Sequence, residues 1–315
     1  MIRRTAFEDF EALQDVVQDN ESEVMQIGAG RMHGAITHFA VDPTFGISTG
    51  QFSQAISATG VLSDARWALG FLTASDGIAL GHNGEMAVGD LVTAAPGVER
   101  YTRFQNNTAY VAVMIAPERL QSHLATQPGA YDRLLRHELA VLRATPAAAS
   151  HNVRDLGVLL DAMAPEDGSM VTDEAVAFYQ RNIIELLTAS MRDGVPYQGS
   201  HLAKAERIVH GIEVYVTTMG ARPVHVSELC EHLGIHRRTL HRAFREVLGI
   251  GPIQYLRKRR LNDAHRALRA ARPHSKIATI ARNHGFAELG RFAREYRHQF
   301  GELPSHTLRR NTTSG

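Results

Sequence analysis

The chain has 315 residues, 44% hydrophobic and 21% charged, a composition ordinary for a globular protein and long enough for two domains. No run approaches the roughly 20 apolar residues that cross a bilayer, and "MIRRTAFEDFEALQDVV" lacks the apolar core of a secretory signal, so a cytoplasmic location is expected. A single cysteine, Cys230, excludes an internal disulfide framework and a cysteine-based zinc cluster. The net charge of +1 hides an asymmetry: residues 1–200 carry 13 Lys+Arg against 24 Asp+Glu, and residues 201–315 carry 21 against 9. The basic part suits a polyanion and the acidic part does not.

In chain order, residues 1–30 read as mostly helical, then irregular. From about Gly34 to Ala116 short apolar runs such as "HGAITHFAV", "RWALGFLT" and "AYVAVMIAP" alternate with Gly, Asn, Asp and Pro. That texture predicts short strands in a sandwich or barrel. From Pro117 the pattern turns helical through "ERLQSHLA", "AYDRLLRHELAVLRA" and "NVRDLGVLLDAMA". "TDEAVAFYQRNIIELLTASM" opens on an N-cap signal at Thr172–Asp173. Its stripe of Val176, Tyr179, Ile183, Ile184, Leu186 and Leu187 makes helix 172–191 the expected dimer contact. "RDGVPYQGS" (192–200) is polar and glycine-rich and reads as a linker.

Everything after His201 reads as helix, and it contains a repeat. In "VSELCEHLGIHRRTLHRAF" a short helix ends at Leu233, Gly234 turns the chain, and a second helix starts near His236. In "IATIARNHGFAELGRFAREY" Gly285 makes the same turn. A small residue lies four positions before each glycine, Cys230 and Ala281, where two helices must cross closely. Leu240 with Phe244, and Phe292 with Tyr296, would anchor the second helices to a core. The remaining faces are cationic: Arg237, Arg238, His241, Arg242 and Arg245 in one copy, Arg291, Arg294, Arg297 and His298 in the other. This is the pattern of a helix-turn-helix, whose second helix enters a major groove with Arg donating to guanine and further cations holding phosphates. Between the copies, "PIQYLRKRRLNDAHRALRAA" predicts a helix of roughly 30 Å, close to the roughly 34 Å between successive major grooves on one DNA face. Its "RKRR" (257–260) is a phosphate contact, a solvated run or a core-bridging segment.

These residues also carry a resemblance. Residues 201–310 resemble the DNA-binding domain of the AraC/XylS transcription regulators, through Gly249, Pro252, Tyr255-Leu256-Arg257, Arg260-Leu261, Ala264, Ile280-Ala281, Gly285-Phe286, Phe292, Tyr296-Arg297, Phe300-Gly301 and Pro304-Ser305. The ending "FGELPSHTLRR" looks like one branch of that family. The resemblance implies a seven-helix domain with base-reading side chains at Arg238, His241 and Arg242 in the first unit and at Leu289, Gly290, Arg291 and Arg294 in the second. Leu289 and Gly290 fall where relatives carry polar residues, so the second unit is expected to act mainly on phosphates, with Arg294 as its base reader.

Many such regulators carry an N-terminal cupin-like barrel followed by dimerising helices, and "GDLVTAAPG" (89–97) resembles a cupin strand-turn signature. The fold expected is therefore α+β: residues 1–191 a cupin-like β-barrel plus helices for ligand sensing and dimerisation, 192–200 a linker, 201–310 an all-α domain with two helix-turn-helix motifs, and 311–315 a tail. A metal is not expected. His82 and Glu85 lack a second histidine, Gly84 standing in its place, and Val98-Glu99-Arg100 replaces the next expected ligand. No cofactor is expected either. No nucleophile elbow, phosphate loop or dinucleotide fingerprint appears, and Gly28, Gly30 and Gly34 lack the strand–turn–helix context. A small-molecule effector in the barrel is the alternative to chemistry, with His38, Arg66, Trp67, Phe71 and Arg103 as candidate lining residues.

The function expected is a sequence-specific, non-enzymatic transcription regulator that binds double-stranded DNA as a homodimer, with RNA polymerase as a further partner if it activates. Its rivals are a cupin enzyme with a DNA-binding tail and a non-specific architectural DNA binder.

Overall fold

The structure is a computed structural model that describes residues 2–11, 13, 23–81, 84–125, 134–135, 138–163, 172–197, 202–220, 222–272 and 275–310. His82, residues 198–200 of the expected linker and the 311–315 tail lie outside the described residues.

The N-terminal part holds two antiparallel sheets. One has eight strands in the order β1-β3-β4-β11-β6-β9-β12-β13. These are β1 (Ile2–Phe7), β3 (Gly34–Asp42), β4 (Phe45–Phe52), β6 (Trp67–Ala74), β9 (Leu91–Ala94), β11 (Thr108–Ile115), β12 (Leu139–Arg143) and β13 (Val195–Pro196). The other has five, β2-β5-β10-β7-β8, from β2 (Glu23–Gln26), β5 (Ile56–Val61), β7 (Ala79–Gly81), β8 (Gly84–Met86) and β10 (Glu99–Phe104). The expected barrel thus takes the form of two facing sheets, without a hydrogen-bonded ring among the described residues.

Three local expectations are corrected. Residues 2–7 are a strand, not a helix, because pairing from Ile2↔Phe39 to Phe7↔Gly34 satisfies their backbone and buries Phe7. "LAVLR" (139–143), expected as helix, is strand β12, held by β9 through Leu139↔Ala94 to Leu142↔Leu91. Val195–Pro196, expected in the linker, extends the same sheet by pairing with β12. Short apolar runs fit either period, and the neighbouring edge decides.

Helices α1 (Pro117–Leu124), α2 (Pro146–Met163) and α3 (Asp173–Asp193) cover the larger sheet. Leu120, Leu156, Ile183, Ile184 and Leu187 pack with Phe45, Trp67, Leu69 and Val113 in one core. The α3 stripe therefore faces its own sheet, and Phe178 is left exposed on the other side. Thr172 caps this helix, accepting from the Ala175 N–H at 3.2 Å.

Seven helices follow: α4 (Ala203–Met219), α5 (Val226–Leu233), α6 (Arg237–Leu248), α7 (Pro252–Arg269), α8 (Ile277–Asn283), α9 (Leu289–Phe300) and α10 (Pro304–Arg310). At 18 residues, α7 spans about 27 Å. Its Leu256, Leu261, Ala264 and Leu268 are buried, whereas Ile253, expected on the same face, is exposed.

The helical part is packed against the N-terminal part, meeting residues of both sheets. Leu261, Ala264, Leu268, Phe292, Tyr296 and Phe300 share a core with Phe7, Phe10, Met32, Phe52 and Ile56. Asn262 closes a pair of bonds with the β2 backbone, accepting from the Gln26 N–H at 2.9 Å and donating to its carbonyl at 3.1 Å. Gln299 donates to the carbonyls of Gln26 and Gly28 at 3.0 and 2.8 Å.

Candidate nucleic-acid interface

Each unit is built by a short helix, a glycine turn and a longer helix. In the first, α5 starts at His225, whose N–H donates to Glu228 Oε1 at 2.9 Å while its ring nitrogen accepts from the Ser227 N–H at 3.3 Å. Gly234 then adopts φ 60° and ψ 35°, a left-handed conformation that costs an L-residue with a Cβ. The turn closes with Ile235 N–H donating to the Cys230 carbonyl at 3.0 Å. In the second unit Gly285 has φ 79°, and Phe286 N–H donates to the Ala281 carbonyl at 2.9 Å. The same bond joins equivalent residues, and Ala281 is fully buried at the helix crossing. The small residues four positions before the glycines therefore sit where the turn folds back.

From the turn glycine, the longer helix begins three residues on in the first unit and four on in the second. Leu240, Phe244, Phe292 and Tyr296 are all buried to within 1%. Those anchors orient the opposite faces outward. Arg237, Arg238, Arg242 and Arg245 are exposed on α6, and Gly290, Arg291, Arg294 and Arg297 are exposed on α9. Arg242 has only a loose ion pair, with Glu246 at 3.7 Å. His241 and Leu289 depart from the expected pattern. His241 is half-buried, with Nε2 sealed and unpartnered, and Leu289 packs against the second unit's core.

The second unit is also tied by ion pairs that the sequence did not reveal. Glu295 accepts from Arg291 at 3.0 Å and from Arg257 at 2.5 Å. Arg257 belongs to "RKRR", and its three neighbours are likewise engaged inside the chain. Lys258 donates to Gln299 at 2.5 Å, Arg259 pairs with Glu23 at 2.6 Å, and Arg260 lies 5.7 Å over the Phe286 ring. The core-bridging alternative for this segment is the one realised. The signal was available: four cations on a helix with an apolar face cannot all point to one side.

The candidate effector residues separate. Phe71 borders a cavity between the two sheets, whereas Trp67 is buried in the core under α1–α3. His38 on β3 and Arg66 before β6 do not line that cavity. Arg103 turns away from it altogether and pairs with Glu213 of α4 at 2.9 Å, both side chains being over 90% buried. Burial opposes the Arg103 charge, but Glu213 more than offsets this and holds the guanidinium pKa above its usual value.

Comparison with known proteins bears on the same segment. Residues 229–310 match the family model described as "Helix-turn-helix domain". The chain is 30% identical over 171 residues to the XylDLEGF operon transcriptional activator of Pseudomonas putida, a match covering 51% of each protein. It is 38% identical over 106 residues to XylDLEGF operon transcriptional activator 2 of the same organism, covering 33% of this chain and 64% of that one. The crystal structure of a probable AraC family transcriptional regulator from Rhodopseudomonas palustris is 35% identical and matches over 97% of its length and 33% of this chain, with a TM-score of 0.31. The chain belongs to the AraC/XylS family. It spans about half the length of the first of these curated relatives. In this AraC-type chain the matched segment holds the second helix-turn-helix unit, the first from within α5 onward, and every exposed arginine described above. Among the described residues no helix is long and apolar enough to cross a membrane.

Proposed function

We propose that this chain is a sequence-specific DNA-binding transcription regulator controlled by a small molecule held in its N-terminal part. One observation carries the reading: two helix-turn-helix units, joined by one helix, each present exposed arginines opposite buried anchors. Arg238 and Arg242 read bases in the first unit, and Arg294 does so in the second. Arg237, Arg245, Arg291 and Arg297 hold phosphates, which set affinity and its salt dependence. The protein works where DNA is, in the cytoplasm, as a regulator and not as an enzyme. A homodimer through α3 uses its outer side at Phe178, since the inner stripe is taken up by its own sheet. RNA polymerase is a partner if the bound regulator activates.

The test is retardation of a genomic fragment library by the full chain, followed by titration of the selected site and of scrambled DNA. A preference of order 10³ or more is expected. Equal affinity for both would leave only an architectural binder.

A further inference from the structure

Two arginines of the second unit converge on one carboxylate at the edge of its cationic face. Glu295 of α9 accepts from Arg291 Nε at 3.0 Å through Oε1 and from Arg257 Nε at 2.5 Å through Oε2. Arg291 stands four residues before Glu295 on the same helix, whereas Arg257 reaches it from α7, the helix that joins the two units. Both bonds use Nε, which leaves the Nη groups of each guanidinium for another acceptor. The Glu295 side chain is 27% exposed and that of Arg291 51%, so the cluster lies where a phosphate can reach it. The first unit has no equivalent. Aligning the anchors, Leu240 with Phe292 and Phe244 with Tyr296, puts the buried Ala243 where Glu295 stands. The one carboxylate of α6, Glu246, meets Arg242 only at 3.7 Å.

Two guanidiniums and one carboxylate sum to a charge of +1 where the arginines alone would supply +2. A phosphate that approaches either arginine meets a like charge next to its donor. Pairs this exposed add little to stability, so the main consequence of the carboxylate is for a charged partner. We infer that Glu295 is an affinity-limiting residue of the second unit, contesting Arg257 and Arg291 with DNA phosphate and so weakening the hold on any duplex. The inference rests on the regulator reading above. Non-specific binding is almost wholly phosphate contact, and a regulator has to leave random DNA to find its site among a large excess of competitors. A carboxylate set among the arginines lowers that background without touching a base. A glutamate can also accept from cytosine N4 in the major groove, but both oxygens of Glu295 are already engaged by guanidiniums, which favours the contest with phosphate. With its grip limited in this way, the second unit is placed on DNA by the first, whose Arg237, Arg238, Arg242 and Arg245 are exposed.

The experiment is fluorescence anisotropy of the full chain on a duplex of scrambled sequence and on the selected site, over a series of salt concentrations, for the natural chain, Glu295→Gln and Glu295→Ala. Neither variant strands a buried charge, since Arg257 and Arg291 both keep contact with solvent. Both variants are expected to bind scrambled DNA about threefold to tenfold tighter, with the slope of log K against log salt steeper by roughly 0.9 for each phosphate gained. The gain should be the same on the selected site. Arg291→Ala should weaken binding more in the Glu295→Gln background than in the natural chain, by about threefold or more. The inference is overturned if both variants bind scrambled DNA no tighter than the natural chain, if the salt slope does not steepen, or if the loss at Arg291 is the same in both backgrounds. A gain or loss confined to the selected site would make Glu295 a base contact and overturn it too. DNA binding by the natural chain with no gain in the variants sinks this inference alone, whereas a natural chain that binds no duplex at low salt sinks the regulator reading and this inference with it.

Discussion

The two helix-turn-helix units share a turn and a set of anchors, yet they are attached to the rest of the molecule in different ways. The first reaches the N-terminal sheets through α4, where the buried Arg103–Glu213 ion pair, the Tyr101–His210 stack and a shared core with Met25 and Leu80 cross the boundary. The second is joined directly: Asn262 and Gln299 bond to the β2 and Gly28 backbone, Arg259 and Arg266 share Glu23, and Phe300 stacks on Phe10 with centroids 6.1 Å apart. Its recognition helix also has an arginine engaged with Glu295. Duplication of a motif therefore does not duplicate its role. The first unit has freer cations and reaches the sheets through one intervening helix, and the second is anchored to them directly over many contacts.

That contrast can be broken most sharply at the links. Glu213→Ala strands Arg103 in a buried site and should lower stability by about 3–5 kcal/mol, whereas Glu23→Ala, whose partners retain Asp263 and some solvent, should cost about 1 kcal/mol or less. Chemical denaturation of both variants measures this, and equal losses would erase the asymmetry. Next come the reading helices. Arg238→Ala and Arg242→Ala should each weaken specific DNA binding by about 1–3 kcal/mol and relax the sequence preference. Arg291→Ala, held back by Glu295, should cost less than about 1 kcal/mol, spread evenly over sequences, in fluorescence anisotropy. A uniform loss for Arg238→Ala would count against base reading.

The turns should respond alike. Gly234→Ala and Gly285→Ala both put a Cβ on a left-handed backbone and should lose about 1–2 kcal/mol each. Only at Gly285 would the new atom also meet Arg260, 3.0 Å from its Nη1, so that variant should fall at the upper end in thermal melts.

A pH-dependent effect belongs to the second unit alone. Thr307 donates its one hydroxyl proton to Glu302 at 2.6 Å, so Tyr296 must donate to Thr307 across their 2.7 Å contact. Tyr296 therefore accepts from His265 Nδ1 at 2.6 Å. The remaining His265 Nε2 is buried and unpartnered, and burial drives this histidine's pKa down to about 3 from 6.5. The fold favours the neutral ring. Its contribution is complete above about pH 6.5 and is lost as pH falls towards 3, amounting to about 1 kcal/mol between pH 6.5 and 5.5. Melting temperature against pH should flatten over that interval in His265→Asn, and an unchanged slope would place the acid sensitivity elsewhere.

Much of the DNA-facing half was legible from the residues alone. Strong 3.6-residue periodicity, a repeated glycine and a cationic face are local properties, and α9 spans the predicted "LGRFAREYRHQF". The strands were legible as texture and not as pairing. β1 and β12 were misread because a short apolar run satisfies either period until a neighbouring edge offers hydrogen bonds. Arg103 was named as a candidate lining residue and Arg100, which borders the cavity, was not, though they lie on one strand. Which face of "ERYTRF" meets the cavity depends on the register of β10 against β5, where Arg100 opposes Gly60 and Arg103 opposes Ser57.

The sequence by itself settled that there are two helix-turn-helix units, where they turn, and that their outer faces are cationic, because these follow from contacts within about twenty residues. Only the tertiary structure decided which cations remain free for DNA, which are paired with carboxylates across the chain, and which side of β10 an arginine occupies. Those outcomes depend on partners hundreds of residues distant, as with Arg266 and Val24 or Arg310 and Asp9, and a buried charge takes its role from the neighbour it finds.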